Sequence, residues 1–128
     1  MNIAELLKSM PDYIGSDGRT CDQIKEAERS VGIVFSEDYR NYLEEIGLAC
    51  YDGHELTGIT EDARLDVVAI TKEKREQTGP EAAQWYVIEE ACIDGIVIWQ
   101  SSGGEVYQTE PGLESKKIAD SLSDYICT

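Results

Sequence analysis

The chain has 128 residues, with 26 acidic side chains against 11 basic ones, a single histidine and a formal net charge of −15. That length suits one domain with an ordinary hydrophobic core that needs no metal or disulfide staples. So anionic a surface repels phosphate backbones and anionic bilayers, which argues against nucleic acid and membranes as partners and for a basic protein, with plain solubility as the competing use of the charge.

No window approaches the ~20 apolar residues of a membrane span, and the start MNIAELLKSMP lacks the basic and apolar runs of a secretory signal, so a cytoplasmic location is expected. Cys21, Cys50, Cys92 and Cys127 are scattered without a CxxC pair, and His54 is the only histidine. Metal-ligand spacing is therefore missing, and free thiols are expected.

The first apolar spacing, Ile3, Leu6, Leu7 and Met10, predicts a short amphipathic helix stopped by Pro11, followed by a turn-rich connector over 12–19. Thr20 with Gln23 matches a capping box and opens a helix with the stripe Ile24, Ala27 and Val31, ended by Gly32. Ser36 caps the next helix, whose first turn holds Glu37 and Asp38 and whose buried face is Tyr39, Tyr42, Leu43 and Ile46; Gly47 closes it. The link Ile33-Val34-Phe35 between the two helices should plug into the core.

From Tyr51 the period shifts. Residues 52–59 read as a first strand with glycines that suggest a bulge or a close backbone approach, and residues 65–70 as a second strand or a buried helix. Residues 71–77 read as an exposed helical turn broken by Thr78-Gly79-Pro80. The stretch WYVIEEACIDGIVIWQSSGGEVYQ, residues 85–108, then reads as a β-meander punctuated by Asp94-Gly95 and by residues 101–104. Its run Ile96-Val97-Ile98-Trp99 is apolar without alternation, which requires both faces of that strand to be covered. Glu110-Pro111-Gly112 forms a turn, and residues 114–126 read as a closing helix with the stripe Ile118, Leu122, Tyr125 and Ile126. The order helices, strands, helix predicts a single α+β domain over 1–128, with 1–19 as helix and connector and 20–126 as core. A mainly antiparallel central sheet of about four to six strands is expected, flanked by helices.

The helix carrying Ile24 and Glu28, the break at Gly32, the apolar link before Ser36, the helix with Tyr39, Tyr42 and Leu43, and the stop at Gly47 together resemble the opening of the SUKH superfamily, in its SMI/KNR branch. Gly58-Ile59, the Gly95 turn, the strand Gly104-Glu105-Val106-Tyr107 and the last helix continue the likeness over about residues 20–126. Phe35-Ser36 stands where the family usually has Leu-Pro, and Gly47-Leu48 where it has a Gly-Gly-like end. The resemblance implies a central sheet flanked by helices. It also implies a bacterial immunity protein that binds a toxin domain, often a nuclease; fungal members act in cell-wall regulation through protein contacts. It implies no catalytic residue.

The residues themselves point the same way. His54 would have to serve any Ser-His or Cys-His pair, and no GxSxG elbow accompanies it. Glu89 and Glu90 are adjacent in a strand and so face opposite ways. Gly103-Gly104 lacks the Lys-Ser/Thr of a phosphate loop, and no run of alternating oxygen ligands follows Asp52-Gly53 or Asp94-Gly95, so no cofactor or metal is expected. Trp85, Trp99, Tyr86 and Tyr107 serve mostly as core, with any left exposed as interface anchors. The expected binding residues for a basic toxin, a nuclease domain, are Asp52, Glu55, Glu61, Asp62, Glu89, Glu90, Asp94 and Glu105, with Trp99 as the apolar anchor. The alternative is a regulatory scaffold or adaptor of the same fold that recognises a folded client.

Overall fold

Local chemistry places the helix ends in this computed structural model, which describes residues 2–91 and 93–128. Asn2 caps α1 (Ile3–Lys8) by accepting from the Glu5 N–H. The capping box of α2 (Cys21–Val31) is complete: the Gln23 N–H donates to Thr20 Oγ1 at 3.1 Å, and the Thr20 N–H to Gln23 Oε1 at 2.8 Å. Gly32 ends α2 in the left-handed conformation, and Ser36 caps α3 (Glu37–Glu45). In the link between them only Phe35 is buried, while Val34 is exposed. Glu28 holds that link in place, accepting from the Phe35 N–H at 2.8 Å and from Arg40 at 2.9 Å.

Two antiparallel sheets form. The first has the order β1 (Ile14–Gly15), β2 (Ala49–Tyr51), β3 (His54–Glu55). The second is the meander β4 (Trp85–Glu90), β5 (Val97–Ser101), β6 (Val106–Thr109), β7 (Lys116–Ala119). One sheet was expected, and the two nearly make it. After β3, Leu56 bridges to Glu89, and the Thr57 N–H donates to the Ile88 carbonyl. A bulge at Ile88 and the departure of the chain at Gly58 then end the pairing. Gly58 meets the expectation of a close backbone approach, since a Cβ there would lie 1.9 Å from the Gly47 carbonyl oxygen.

The second sheet is covered on both faces, as the unbroken apolar run of β5 required. Tyr86, Ile88, Ile98 and Val106 join the main core with α1, α2, α3 and the closing helix α5 (Leu122–Ile126). Trp85, Val87, Val97 and Trp99 form a second cluster with Ile70 and Ala82. Ile3, Ala4 and Leu7 of α1 lie in the main core, so the first helix is part of the packed body.

Three expected elements are corrected. The strand over 52–59 is instead a hairpin of β2 and β3 around Asp52-Gly53, both residues at positive φ, as a two-residue turn with the twist of its strands demands. Residues 65–77 hold one helix, α4 (Val67–Gln77), capped by Asp66, whose side chain accepts from the Ala69 N–H. Thr71 is buried in it rather than exposed, and its hydroxyl accepts from the Val87 N–H. The closing helix over 114–126 is split: residues 116–119 pair with β6 as β7, and Ser121 caps the short α5. Among the described residues no helix is long and apolar enough to cross a membrane. Cys21, Cys50 and Cys127 carry free thiols, as expected, and Cys92 lies outside the described residues.

Candidate docking surface

The bulge in β4 decides what Glu89 and Glu90 do. Val87 pairs with Trp99 and Glu89 with Ile98, so Ile88 is the extra residue. The insertion turns Glu89 to the main-core side and Glu90 to the α4 side, the reverse of uninterrupted alternation. Glu89 is buried and accepts from Tyr125 Oη at 2.5 Å and from His54 Nδ1 at 2.9 Å, while His54 stacks on Tyr51. Burial, then the charge of Glu89, pushes the Tyr125 hydroxyl far above its ordinary pKa. Glu90 instead pairs with Lys74 at 2.6 Å.

This assembly ties α5 to the β2–β3 hairpin and to β4, so Glu89 acts as a structural clasp rather than a surface acid. Replacing Glu89 by Ala is expected to cost about 1–3 kcal/mol in urea unfolding, because Tyr125 and His54 lose their buried acceptor. Replacing Glu90 by Ala, which removes a partly buried ion pair whose Lys74 partner can still reach solvent, is expected to cost less than replacing Glu89. An unchanged urea midpoint for Glu89→Ala would show that the clasp contributes nothing.

Trp99 is corrected as an anchor. It is fully buried, donates its indole N–H to Thr109 Oγ1 at 2.8 Å and packs beside Trp85. A strand covered on both faces has no side chain left for a partner. Trp99→Ala is expected to lower stability by about 3–5 kcal/mol through loss of burial and the cavity left behind. A variant of unchanged denaturation midpoint would restore Trp99 as a surface residue.

The remaining acids fall into separate places. Asp94 sits in the β4–β5 turn at positive φ, and Glu105 lies beyond the opposite end of β5, where it pairs with Lys117 at 3.4 Å. A strand of that length spans roughly 17 Å, so these two do not share a contact point. Asp52, Glu55, Glu61 and Asp62 do gather. Glu55 on β3 pairs with Arg64 at 3.0 Å, and the Arg64 N–H donates to Asp62 Oδ1 at 3.0 Å, which brings the exposed loop carrying Glu61 and Asp62 to the hairpin. Asp52 is at the hairpin tip, where its N–H donates to the Pro11 carbonyl and draws Asp12 alongside.

Cations are largely engaged within the molecule. Arg29, Arg40, Arg64, Lys74 and Lys117 face internal carboxylates. Arg75 donates to the carbonyls of Val31, Ala82 and Trp85, and Arg19 to those of Asp17 and Ile59. The anionic excess is therefore left to face solvent.

A family model described as SMI1-KNR4 cell-wall, SUKH_5, matches residues 2–127. The chain belongs to the SUKH family. No curated protein matches it. Within this SUKH domain, the match takes in α1 and the connector as well as the segment from Thr20 onward that carries the resemblance.

Side chains that residue-by-residue reading passed over lie beside the gathered acids. Ile14, Leu48, Cys50 and Leu65 line a groove of about 200 Å³ on the hairpin face of this SUKH domain, together with Gly15, Ser16, Ala49 and Glu55. The signal was available in part: an Asp-Gly two-residue turn fixes the register of its strands, which sets Cys50 opposite Glu55 and on the outward face. Nothing local marks Ile14, which reaches that face only through its pairing with β2.

Proposed function

We propose that the protein is a cytoplasmic bacterial immunity protein, without catalytic activity of its own, that neutralises a cognate toxin by direct stoichiometric binding. The toxin is a nuclease domain whose Lys- and Arg-rich substrate surface the acids oppose. The observation that carries this reading is the net charge of −15 on a SUKH domain whose cations are mostly engaged by internal carboxylates and carbonyls. Close charge pairs in tight inhibitor complexes couple by about 1.5–7 kcal/mol and steer association.

The test is co-expression with the toxic domains encoded beside it, scored by cell survival, followed by isolation of the complex. Survival together with a complex of fixed stoichiometry supports the reading. Death despite full expression of both chains, or rescue without a complex, would sink it.

A further inference from the structure

We infer that the outer face of the three-stranded sheet is the docking surface, and that its occupant is a segment of a basic protein presenting one branched or aromatic side chain between Lys or Arg residues. This rests on the immunity reading for the partner's identity but not for the chemistry of the face.

The sheet has two unlike sides. Ala49 and Tyr51 of β2 point into the main core, so Cys50 between them points out. Its register partners on either side are Ile14 and Glu55, and cross-strand partners share a face. Ile14, Cys50 and Glu55 therefore form one row across the outer surface. Leu48 and Leu65 extend the apolar part, and Ile14 is 69% exposed, the most exposed large hydrophobic among the described residues. An apolar side chain this open costs hydration unless something covers it.

The shape and charge of the face select the occupant. A groove of about 200 Å³ has room for a branched or aromatic side chain, since a cavity of roughly 150 Å³ admits benzene. Glu55 lines it, and further acids belong to segments held against the same hairpin: Asp12 and Asp52 at its tip, and Glu61 and Asp62 on the loop that Arg64 ties to Glu55. A second copy of the chain would set these acids against their own kind, and a phosphate backbone would meet the same repulsion. Cationic residues flanking an apolar one satisfy both floor and border. The exposed pair Ile93 and Leu113 lies on other loops, around the contact of Gly95 with Pro111, and serves as the internal comparison.

Cys50 reports on the floor of the groove, while Cys21 and Cys127 are exposed elsewhere. The probes are two synthetic peptides, a Lys-Leu-Lys repeat and the same repeat with Gly for Leu, added to the full chain at low salt. The readout is the rate of N-ethylmaleimide alkylation at each cysteine by mass spectrometry. At about ten times its dissociation constant, the Leu peptide is expected to slow Cys50 alkylation about tenfold, with Cys21 and Cys127 unchanged and the Gly peptide without effect on Cys50. Ile14→Glu, at an exposed position that folding tolerates, should abolish the protection, and Leu113→Glu should leave it intact. Absent binding, equal protection by both peptides, equal protection of Cys21, Cys50 and Cys127, or protection that survives Ile14→Glu would each overturn the assignment.

The two readings separate in the survival assay. Rescue by wild type and equally by Ile14→Glu removes this face and leaves immunity standing. Failure of wild type to rescue, with Leu-dependent protection of Cys50 intact, removes immunity and leaves the face.

Discussion

Raising the pH above 10 is expected to unfold the protein cooperatively, because Tyr39, Tyr42 and Tyr86 are buried with hydroxyls that cannot ionise in place. Burial is the largest cause of their raised pKa values. In the unfolded chain each hydroxyl loses its proton near pH 10, whereas the folded state keeps it bound. Unfolding above that pH therefore releases protons. The stabilisation from each tyrosine is fully present below pH 10 and is lost as pH rises toward the folded-state value, by about 1.4 kcal/mol per pH unit for each. Burial raises Tyr51 and Tyr125 in the same direction, and five such groups remove about 7 kcal/mol per unit, against a total stability of roughly 5–15 kcal/mol. Tyrosinate absorbance and far-UV circular dichroism should change together between about pH 11 and 12. Tyrosinate absorbance amounting to all seven tyrosines while the dichroism is still intact would show that these hydroxyls reach solvent.

The same three hydroxyls account for how the layers are joined. Tyr42 donates to the Thr57 carbonyl and accepts from the Ala49 N–H, and Tyr39 pairs with the Thr57 hydroxyl, which donates in turn to the Val87 carbonyl. Tyr86 accepts from the Ser36 N–H and donates to Gln100. One helix thus satisfies backbone groups at the gap where the two sheets fail to merge. Unpaired groups at that gap would cost about 1–3 kcal/mol each.

What could be read without coordinates was whatever a few neighbouring residues decide. The Thr20 and Ser36 caps, the Gly32 stop and the Asp94-Gly95 turn follow from local hydrogen-bonding and φ constraints, and all occur as expected. Residues 116–119 failed because Lys, Ile and Ala sit well in a helix, yet pairing with the exposed edge of β6 outweighs that preference. In residues 67–70 the apolar run suits a strand or a buried helix, and the Asp66 cap is what decides for the helix. The bulge at Ile88 leaves no mark in composition, so the faces of Glu89 and Glu90 could be called opposite but not assigned. The candidate surface was half legible for the same reason. Its acids stand out by charge, whereas its apolar floor is assembled from residues 14, 48, 50 and 65, which only the sheet register brings together.

If the proposed toxin is the partner, removing charge from that border is expected to weaken its binding by about 4 kcal/mol or more, near a thousandfold, when Glu61→Lys is combined with Asp52→Asn. The pair is chosen to leave the fold alone. Glu61 and Asp52 are exposed, and among the described residues no ion pair engages either one. Asn tolerates the positive φ that Asp52 adopts in its turn, which a lysine would not. Glu55 is the wrong choice for reversal, because a lysine there would face Arg64 and disturb the loop from within. Loss should appear first in the association rate at low ionic strength. Wild-type association should slow steeply with added salt, and that of the variant should do so much less. Glu114→Lys combined with Glu110→Gln, which makes the same total charge change on the β6–β7 loop, should shift the rate only through net charge. Equal losses from both pairs of substitutions would mean that overall charge draws the toxin in, with no particular place on the surface chosen. A thousandfold loss confined to the hairpin border, with denaturation midpoints unchanged, would place the contact where the apolar groove already lies.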